Sequence, residues 1–472
     1  MSNSATSSAT PAVTALSPDV KAALQEILGD RVSTHLGLRQ QHGKDESFHT
    51  PRAPDAVVYP VSTEEVSQIV RLCARSGTAL VPFGAGTSLE GHIAAVRGGI
   101  CMDMTQMNQI LEINGDDLDC RVQAGVTRKQ LNLGLARHGQ FFPVDPGADA
   151  TLGGMTATRA SGTNAVRYGT MKDNVLGLTV VMPDGVIVRT GSRARKSAAG
   201  YDLTRLFCGS EGTLGVITEV QLRCHGLPEA HAVGVCNFTD IGAAVQTVIE
   251  VIQSGIPVAR VELLDGPQMR AINQYSKLAY AEQPTLFFEF HGTAASVVEQ
   301  SERVAELVQE NGGSEFAWAT EQEAQNKLWQ ARHDAYYAAR ALRPGAGGWP
   351  TDVCVPISRL AACILETQQD LEEFDLLAPI VGHVGDGNFH LLLLVDENNP
   401  DELRVAKTVN DRLVKRAIRM GGTCTGEHGI GYGKLAYMSL EHGTAIGVMA
   451  AIKKALDPLN IMNPGKVIPE IY

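Results

Sequence analysis

The loop that decides how this sequence folds is Pro82-Phe83-Gly84-Ala85-Gly86-Thr87-Ser88-Leu89-Glu90-Gly91, which continues a strand-like apolar run from Ala79 to Phe83. Small residues allow backbone N–H groups to approach a phosphate closely, and the hydroxyls of Thr87 and Ser88 add donors. The loop departs from the dinucleotide-binding GxGxxG pattern because Leu89 occupies the position of the third glycine. By itself it is equally compatible with a phosphate cradle and with a tight strand-to-helix turn.

Three more glycine-rich elements follow in the same part of the chain. They are Pro143 to Gly154, Ala160 to Asn164 with the nearby Gly169 and Asn174, and Phe207 to Ile217. Four such elements in succession are hard to explain as turns alone. Together they predict a cradle for a dinucleotide cofactor.

A second group of motifs lies near the C-terminus: Gly382-His383-Val384-Gly385-Asp386-Gly387-Asn388-Phe389-His390 and Gly426-Glu427-His428-Gly429-Ile430-Gly431. His383, His390 and Glu427 have the residue types of a two-histidine, one-carboxylate metal site, which leaves coordination positions open for water or substrate. Each histidine also has a structural alternative, because His390 in a strand could be a core residue and His383 in a turn could be a cap.

Composition limits the classes of protein to consider. The chain has 472 residues, which predicts two or three domains, and its 44% apolar and 19% charged content is that of a globular protein. The net charge of −12 argues against a nucleic-acid surface and against attraction to anionic lipid. The nine cysteines contain no CxxC motif, so neither a disulfide framework nor an iron–sulfur cluster is indicated. No apolar run reaches the length of a membrane-spanning helix.

Periodicity divides the chain into four parts. Residues 1–18 contain no Lys or Arg and are predicted to be a disordered tail, not a secretory signal or a mitochondrial presequence. Residues 19–228 alternate short strands with glycine-rich turns, and residues 229–423 alternate longer helices with apolar strands. Residues 424–472 carry the Glu427 motif, one predicted helix and a Pro/Gly-rich tail. This pattern predicts an α+β protein, and its reduced thiols predict a cytoplasmic location.

Local signals predict two helices in particular. A helix from Thr63 to Gly77 is predicted because Val66, Ile69, Val70 and Cys73 share one face and Gly77 is a typical C-terminal residue. A second, longer helical stretch is predicted from Glu321 to Arg340.

The order of the motifs resembles a known group of flavoenzymes. PFGAGTSLEG, DPGADATLGG, ASGTNA and GYDLTRLFCGSEGTLGVIT are similar to the FAD-binding domain of the vanillyl-alcohol oxidase group. GHVGDGNFH, TGEHGIGYGK and NPGKV resemble its D-2-hydroxyacid dehydrogenase branch, and the stretch from Trp329 to Pro356 looks most like the cytochrome-type D-lactate dehydrogenases. The resemblance implies a two-subdomain FAD-binding domain (19–228), an α+β substrate or cap domain (229–423) and a C-terminal segment (424–472) that returns to the flavin.

The resemblance also implies where FAD binds. The first loop would hold the pyrophosphate, and because no His lies between Pro82 and Gly91 we expect noncovalent FAD; His92 and, less so, Cys424 are the residues that could form a covalent link. The implied FAD contacts are Pro82, Gly84, Ala85, Gly86, Thr87, Ser88, Leu89, Pro146, Asp149, Thr151, Gly153, Gly154, Ser161, Gly162, Asn164, Gly169, Asn174, Glu211, Gly212, Gly215, Ile217 and Asn463.

Oxidation of a 2-hydroxy acid removes the hydroxyl proton and the C2 hydride, and the flavin accepts the hydride at N5. A divalent metal, zinc or manganese, on His383, His390 and Glu427 would bind the substrate and lower the pKa of its hydroxyl. His428, next to Glu427, would take the proton.

The carboxylate of the substrate needs a cationic partner in an acidic protein. Arg332 is the first candidate and Arg343 the second, while Asn388 would hydrogen-bond the substrate. Pro350 stands where 2-hydroxyglutarate-specific relatives carry a Lys for a second carboxylate. We therefore expect a short D-2-hydroxy monocarboxylate, with D-lactate the first candidate.

Other functions of the same fold remain open. The main alternative is the FAD subunit of a multi-subunit glycolate oxidase, which needs iron–sulfur partners. An ether-lipid synthase is disfavoured because Thr425-Gly426-Glu427-His428 breaks that family's run of histidines, and a UDP-sugar reductase would not need the metal triad. The expected electron acceptor is external (a cytochrome, a quinone or an electron-transfer protein). A homodimer and peripheral association with an inner membrane are further possibilities.

Overall fold

The computed structural model describes residues 16–319 and 322–469. Residues 1–15 of the predicted tail lie outside this range. Pro18, predicted as the last residue of the tail, begins the first helix, and the Ser17 hydroxyl accepts a hydrogen bond from the Val20 N–H at 3.3 Å.

The helices are α1 (Pro18–Leu28), α2 (Leu36–Gln41), α3 (Thr63–Ser76), α4 (Arg128–Ala136), α5 (Leu152–Thr158), α6 (Ala165–Tyr168), α7 (Met171–Asn174), α8 (Leu203–Phe207), α9 (Ile241–Gln253), α10 (Gly266–Ser276), α11 (Ala294–Glu310), α12 (Gln322–His333), α13 (Ala335–Ala341), α14 (Ile357–Glu373), α15 (Pro400–Arg419), α16 (Leu435–His442) and α17 (Ala445–Leu456), with a 3₁₀ turn at Met104–Gln106.

The strands are β1 (Val32–Ser33), β2 (Ala56–Val58), β3 (Leu80–Phe83), β4 (Ile100–Asp103), β5 (Ile110–Asn114), β6 (Asp119–Gln123), β7 (Gln140–Phe141), β8 (Val175–Val181), β9 (Ile187–Arg189), β10 (Val216–Arg223), β11 (His225–Gly226), β12 (Ala230–Asn237), β13 (Val258–Leu264), β14 (Thr285–Gly292), β15 (Ala317–Ala319), β16 (Gly347–Pro350), β17 (Val353–Cys354), β18 (Ile380–His383) and β19 (Asn388–Val395).

The first sheet has the order β1-β2-β4-β3 and positions the loop that follows Phe83. Strands β2 and β3 both run parallel to β4, which lies between them, and α3 connects β2 to β3. Helix α3 confirms its prediction: the Ser62 hydroxyl caps it at Glu65, its apolar face is buried, and Gly77 ends it with a φ of +66°. A β-α-β unit therefore leads directly into the first glycine loop.

The second sheet, β5-β6-β10-β8-β9, is antiparallel, and the glycine-rich element Phe207 to Ile217 leads into its strand β10. Helix α5 packs against β10, and the side chains of Leu152 and Met155 are buried in the same apolar core as Val220 and Leu222.

The third sheet follows the order β15-β12-β14-β13-β18-β19-β16, with β17 paired to β19, and its neighbouring strands are antiparallel. Helices α9, α11, α14 and α15 contribute to the core that includes one face of this sheet. Helices α10 and α12 contribute to a second apolar cluster with β12, β13 and β14. Both faces of β13 and β14 are therefore covered.

The C-terminal segment returns to the first sheet. Leu80 N–H donates to Ile461 O at 2.8 Å, and Asn463 N–H donates to Leu80 O at 2.8 Å. The α+β fold predicted from the sequence, including this return, is confirmed.

Two predicted elements differ from the structure. The stretch from Glu321 to Arg340 was expected to be one helix, but it is divided at Asp334 into α12 and α13, where the side chains of Arg332 and His333 turn toward an internal cavity; Glu321 itself lies outside the described residues. The C-terminal part contains α16 and α17 instead of one helix, because Gly443 with a φ of +52° ends α16.

Candidate active site

A cavity of about 510 Å³ lies where the glycine loops face the third sheet and the Glu427 loop. Its volume falls within the range of small-molecule and cofactor sites. The first loop approaches the second so closely that a Cβ on Gly84 would lie 2.3 Å from Thr151 Oγ1. Gly86 has a φ of +71°, which disfavours side chains at this turn. The loop composition noted in the sequence is therefore a geometric requirement of the cavity wall.

Most of the predicted FAD contacts line this cavity. They are Pro82, Gly84, Ala85, Gly86, Thr87, Ser88, Leu89, Pro146, Thr151, Gly153, Gly154, Ser161, Gly162, Glu211, Gly212, Gly215, Ile217 and Asn463.

Four predicted FAD contacts are not among the described residues that line the cavity. Asp149 is exposed and accepts a hydrogen bond from Lys129 N–H. The Asn164 side chain binds Pro143 O and Arg260, and the Asn174 side chain binds Tyr168 O, Thr170 O and His225. Gly169 ends α6 with a φ of +75°. The polar groups of Asp149, Asn164 and Asn174 contact protein, and a direct FAD contact at these four positions stays a prediction.

Glu211 joins the first half of the chain to the Glu427 loop. Its carboxylate accepts hydrogen bonds from Ile430 N–H at 2.7 Å and Gly431 N–H at 2.8 Å. The amide of Asn463 donates to His92 O and to Glu211 O at 3.1 and 2.8 Å. Both side chains border the cavity, but these polar atoms hold segments of protein together.

His383, His390 and Glu427 converge as the sequence predicted. One ligand atom from each lies within 4.8 Å of the others. His383 Nε2 is 3.2 Å and His390 Nε2 is 3.3 Å from the same atom, Glu427 Oε1. The β18–β19 hairpin accounts for this, because His383 ends one strand and His390 lies in the other.

The outer nitrogen of each histidine is fixed by an oxygen acceptor. His383 Nδ1 donates to Glu262 Oε1 at 2.7 Å, and His390 Nδ1 donates to Thr351 O at 2.9 Å. This arrangement leaves Nε2 of both rings as the ligand atom and is typical of histidines that bind a metal. The residues therefore fit a divalent cation with three protein ligands.

Asp352, which the sequence did not single out, holds the Glu427 loop. The carboxylate is fully buried, and its Oδ2 accepts hydrogen bonds from Glu427 N–H at 3.0 Å, His428 N–H at 2.9 Å and Thr425 Oγ1 at 2.6 Å. Burial opposes its ionisation, but the nearby His428, Lys434 and His390 side chains outweigh burial and hold the pKa of Asp352 well below its usual value. The position of the predicted ligand Glu427 thus depends on a buried carboxylate.

His428 lines the cavity beside the predicted metal ligands. Its ring stacks on that of His390, with centroids 5.0 Å apart and an interplanar angle of 10°. Among the described residues its buried Nδ1 has no hydrogen-bond partner. Burial lowers the pKa of His428 to about 4, so the ring is neutral at pH 7.

Arg332 also lines the cavity, but it is already paired. Its Nε and Nη2 donate to Glu262 Oε2 at 2.9 and 2.5 Å. Glu262 is fully buried; burial opposes its ionisation, and the charges of His383 and Arg332 outweigh burial and lower its pKa. A guanidinium has five N–H donors, and these two hydrogen bonds use two of them.

The other candidates for substrate contact lie elsewhere. Arg343 binds Glu402 at 2.7 and 2.9 Å and is not among the described residues of the cavity wall. Both amide hydrogen bonds of Asn388 go to protein, to Asp352 Oδ1 and Val353 O, each at 2.7 Å. The expectations for Arg343 and Asn388 are therefore not supported by the geometry. His333 and Pro350 also lie on the cavity wall.

The buried carboxylates Glu262 and Asp352 were not predicted as part of the site, although weak signals for both are present in the sequence. Glu262 interrupts the apolar strand Val258–Leu264, and Asp352 lies between strands β16 and β17. A charged residue in a buried strand requires a partner, since an unpaired buried charge is very unfavourable. The identity of the partners, however, depends on tertiary structure.

Comparison with known families agrees with this fold. The FAD binding domain family matches residues 54–191, and the family of FAD linked oxidases, C-terminal domain, matches residues 227–467. The probable mitochondrial D-lactate dehydrogenase of Danio rerio is 51% identical over 462 residues, which cover 97% of this chain and 93% of the relative. The mitochondrial D-lactate dehydrogenase [cytochrome] of Arabidopsis thaliana is 48% identical over 94% of this chain and 79% of the relative.

More distant relatives share the architecture. Glycolate oxidase subunit GlcD of Bacillus subtilis is 34% identical over 96% of this chain and 97% of the relative. The structure of p-cresol methylhydroxylase matches with a TM-score of 0.76 at 18% identity, over 95% of this chain and 96% of that one. An alkyldihydroxyacetonephosphate synthase matches with a TM-score of 0.77 at 21% identity, over 96% and 86%. These two structures establish the fold alone.

The fold and the glycine-lined cavity define an FAD-dependent oxidoreductase of the vanillyl-alcohol oxidase type. More closely, the chain belongs to the FAD-linked oxidase family, in its branch of D-2-hydroxyacid dehydrogenases like the cytochrome-type D-lactate dehydrogenases. The family matches and the similar D-lactate dehydrogenases confirm the resemblance seen in the motifs.

The comparisons also bear on the cellular location of the protein. Within the two described ranges, no helix combines the length and apolarity needed to cross a bilayer. The Danio rerio and Arabidopsis thaliana relatives are named as mitochondrial, so the expected cytoplasmic location is not confirmed and stays a prediction. The domain boundaries expected at residues 18, 228 and 423 and the expected homodimer also stay predictions.

Proposed function

We propose that this chain oxidises a short D-2-hydroxy monocarboxylate, D-lactate first, to the 2-oxo acid. The observation that carries the proposal is the convergence of His383, His390, Glu427, Arg332 and His428 on one cavity lined by the predicted FAD contacts. FAD, when bound there, accepts the hydride from C2 of the substrate.

The metal proposed for His383, His390 and Glu427 is zinc or manganese, because imidazole and carboxylate ligands suit these ions. When bound, it would polarise the hydroxyl and a carboxylate oxygen of the substrate. The chain's own contribution is to hold the three ligand atoms in advance: Glu262 and Thr351 orient the two rings, and Asp352 holds the Glu427 backbone.

Arg332 is proposed to bind the substrate carboxylate with the N–H groups that Glu262 does not use. Pro350 supplies no second cation at the cavity wall, which favours a monocarboxylate. Val381, Leu391 and Leu392 border the same cavity and give the substrate side chain apolar surroundings. Small hydrophobic homologues of D-lactate are therefore expected to be accepted.

His428 is proposed as the general base. Its Nδ1 is buried without a protein partner, and its ring is neutral at pH 7, so it can accept a proton. An imidazole of low pKa removes a hydroxyl proton effectively only if the hydroxyl is itself acidified, which is why the base must lie beside the metal ligands. The stacking on His390 meets that condition.

FAD is proposed to be noncovalent. Cys424 is buried and lies outside the described cavity wall, whereas His92 borders the cavity and approaches Glu211 Oε2 at 3.2 Å. Acid precipitation should leave yellow FAD in the supernatant. Flavin that stays with the protein pellet would contradict noncovalent binding and make His92 the residue to examine.

The electron acceptor is proposed to be external, since the Arabidopsis thaliana relative is named as a cytochrome-type enzyme. The similarity to GlcD keeps a glycolate oxidase subunit as the second candidate. Turnover of the purified chain with a dye acceptor distinguishes the two, because a subunit that needs iron–sulfur partners should not turn over D-lactate alone.

The main test is a substrate panel of D and L pairs, glycolate and D-2-hydroxyglutarate, with metal content measured in parallel. We expect D-lactate or a small homologue to be best, and His390→Ala to lose metal and activity while retaining FAD. His442→Ala on α16, whose ring is part-exposed, is the matched histidine control. The proposal is overturned if D-2-hydroxyglutarate or an L-enantiomer is best, or if chelator-treated protein without metal keeps full activity.

A further inference from the structure

Glu262 lies at the centre of the site without bordering the cavity. It is in β13, between Val261 and Leu263, whose side chains are buried in the main core of the third sheet. Strand β13 pairs with β18 so that Leu263 is opposite Gly382, and one residue further along this antiparallel register Glu262 is opposite His383. The sheet register therefore brings a fully buried carboxylate beside a predicted metal ligand.

The two oxygens of Glu262 have different partners. Oε1 accepts from His383 Nδ1 at 2.7 Å, and Oε2 accepts from Arg332 Nε at 2.9 Å and Nη2 at 2.5 Å. One rigid carboxylate thus sets the position of the imidazole relative to the guanidinium. We name the residues Arg332, Glu262 and His383 the open triad, because His383 Nε2 points to Glu427 Oε1 at the proposed metal site.

We propose that Glu262 is a positioning residue that couples metal binding to substrate binding. It accepts the proton of His383 Nδ1, which leaves Nε2 for a metal, and it sets one distance between that imidazole and the Arg332 guanidinium. A 2-hydroxy acid held by both groups must match this distance. The inference rests on the proposed function, since it needs a metal on His383 and a substrate carboxylate on Arg332.

The chain contains a matched control. Glu289 in β14 is also a largely buried carboxylate shared by a histidine and an arginine: His291 Nε2 lies 2.6 Å from Oε1, and Arg260 Nη1 lies 3.2 Å from Oε2. We name these three the closed triad, because His291 Nδ1 is already paired with the Tyr168 hydroxyl at 2.8 Å. Substitution of Glu289 removes the same kind of ion pair, but at a position away from the proposed metal.

The experiment compares full-length, FAD-loaded wild type with Glu262→Gln, Glu262→Asp and Glu289→Gln. The readouts are the Kd of Zn²⁺ and of Mn²⁺, measured by competition with a chromophoric chelator, and the separate kcat and KM for D-lactate. Glu262→Gln has one acceptor oxygen and cannot serve both partners. We expect its metal affinity to fall about 10–100-fold, as for other outer partners of metal ligands, with a rise in KM. Glu262→Asp should recover part of the metal affinity, and Glu289→Gln should retain wild-type affinity.

The outcomes separate this inference from the proposed function. If wild type binds metal and Glu262→Gln binds it equally well with unchanged KM, Glu262 is only an ion-pair partner of Arg332 and the inference is wrong. If Glu289→Gln weakens the metal as much as Glu262→Gln does, the effect is general destabilisation and the inference is again wrong. If wild type itself binds no divalent metal, the proposed function fails and the inference fails with it. If Glu262→Gln does not fold, Glu262→Asp with unchanged metal affinity and KM overturns the inference.

Discussion

The open and closed triads are built from the same three residue types. Their glutamates and histidines all lie on the third sheet, whereas Arg332 lies on α12 and Arg260 on β13. The triads differ in the surroundings of one histidine nitrogen. In the closed triad both nitrogens of His291 have protein partners, Glu289 and Tyr168. In the open triad both nitrogens of His383 also have protein partners, but the partner of Nε2 is Glu427 Oε1, the same atom that His390 Nε2 approaches and at which a metal is proposed. Burial and charge are similar in the two, so neither distinguishes a binding site from a structural ion pair.

The arginines differ in the same way. Arg260 donates to Asn164 at 2.8 Å, pairs with Glu289 and lies 3.3 Å from Asp145, and it stacks over Trp329 at 4.8 Å. Its contacts join the glycine loops to the third sheet. Arg332 has Glu262 as its hydrogen-bonded partner and lines the cavity. Arg260 is thus held by several protein partners, whereas Arg332 has N–H groups that Glu262 does not use.

The largest expected effect comes from removing the histidine of each triad. His383→Ala should lose the metal and lower kcat/KM by more than about 10⁴-fold, because the acidified hydroxyl and the benefit of the base disappear together. His291→Ala should keep the metal and most of the activity. Metal analysis and steady-state kinetics on both proteins check this prediction. Equal losses of metal and of activity in the two variants would show that the triads do not differ in function.

His428→Ala tests whether the open triad has a base beside it. Loss of a positioned base typically slows the chemical step by about 10²–10⁴-fold. We expect flavin reduction in a single-turnover experiment to slow by that amount, with FAD and metal content unchanged. Reduction within a few-fold of wild type would instead make His428 a packing partner of His390.

Arg332→Lys should raise the KM for D-lactate by about 10–100-fold, because a hydrogen bond to a charged group contributes about 1.5–3 kcal/mol and Lys cannot reproduce the guanidinium fork. The kcat should change less. Arg343→Lys, at an arginine paired with Glu402 outside the described cavity wall, is the matched control and should leave KM unaltered. An equal rise of KM in both variants would argue against Arg332 as the carboxylate partner.

The smallest expected effect is in the closed triad. Tyr168→Phe removes the hydroxyl that binds His291 and should lower the free energy of unfolding by about 0.5–1.5 kcal/mol. Urea denaturation followed by fluorescence measures this change. Metal affinity should be unaltered, and a loss of metal in this variant would show that the closed triad also contributes to the site.

Local signals in the sequence predicted the elements that depend on neighbouring residues. Helix α3 is an example, since Ser62, its apolar face and Gly77 all act within one segment. The glycine loops and the three proposed metal ligands were also predicted, because their residue types and order are distinctive. The division of the stretch from Glu321 to Arg340 at Asp334 was not predicted, and Arg332 and His333, just before the break, line the cavity.

The supporting residues of the site could not be predicted from local sequence. Glu262 has its partners 70 and 121 residues away, at Arg332 and His383. Asn388 lies within the metal motif and was expected to meet the substrate, but Asp352, 36 residues away, accepts one of its amide hydrogen bonds. Which polar group faces a ligand and which faces protein depends on contacts that only the fold creates.

The return of the C-terminal segment to the first sheet has a consequence for how the protein is made. Lys466 Nζ donates to Ala94 O across 372 residues, and Ile461 and Asn463 hydrogen-bond Leu80 just before the first glycine loop. The entropic cost of such a closure grows only slowly with length, so the final fold loses little stability by it. During synthesis, however, the first glycine loop emerges well before Ile461 to Lys466 and lacks their support until that segment has left the ribosome. We therefore expect flavin to bind only after the segment from Ile461 to Lys466 has been made, and a chain truncated before Ile461 should be released without flavin.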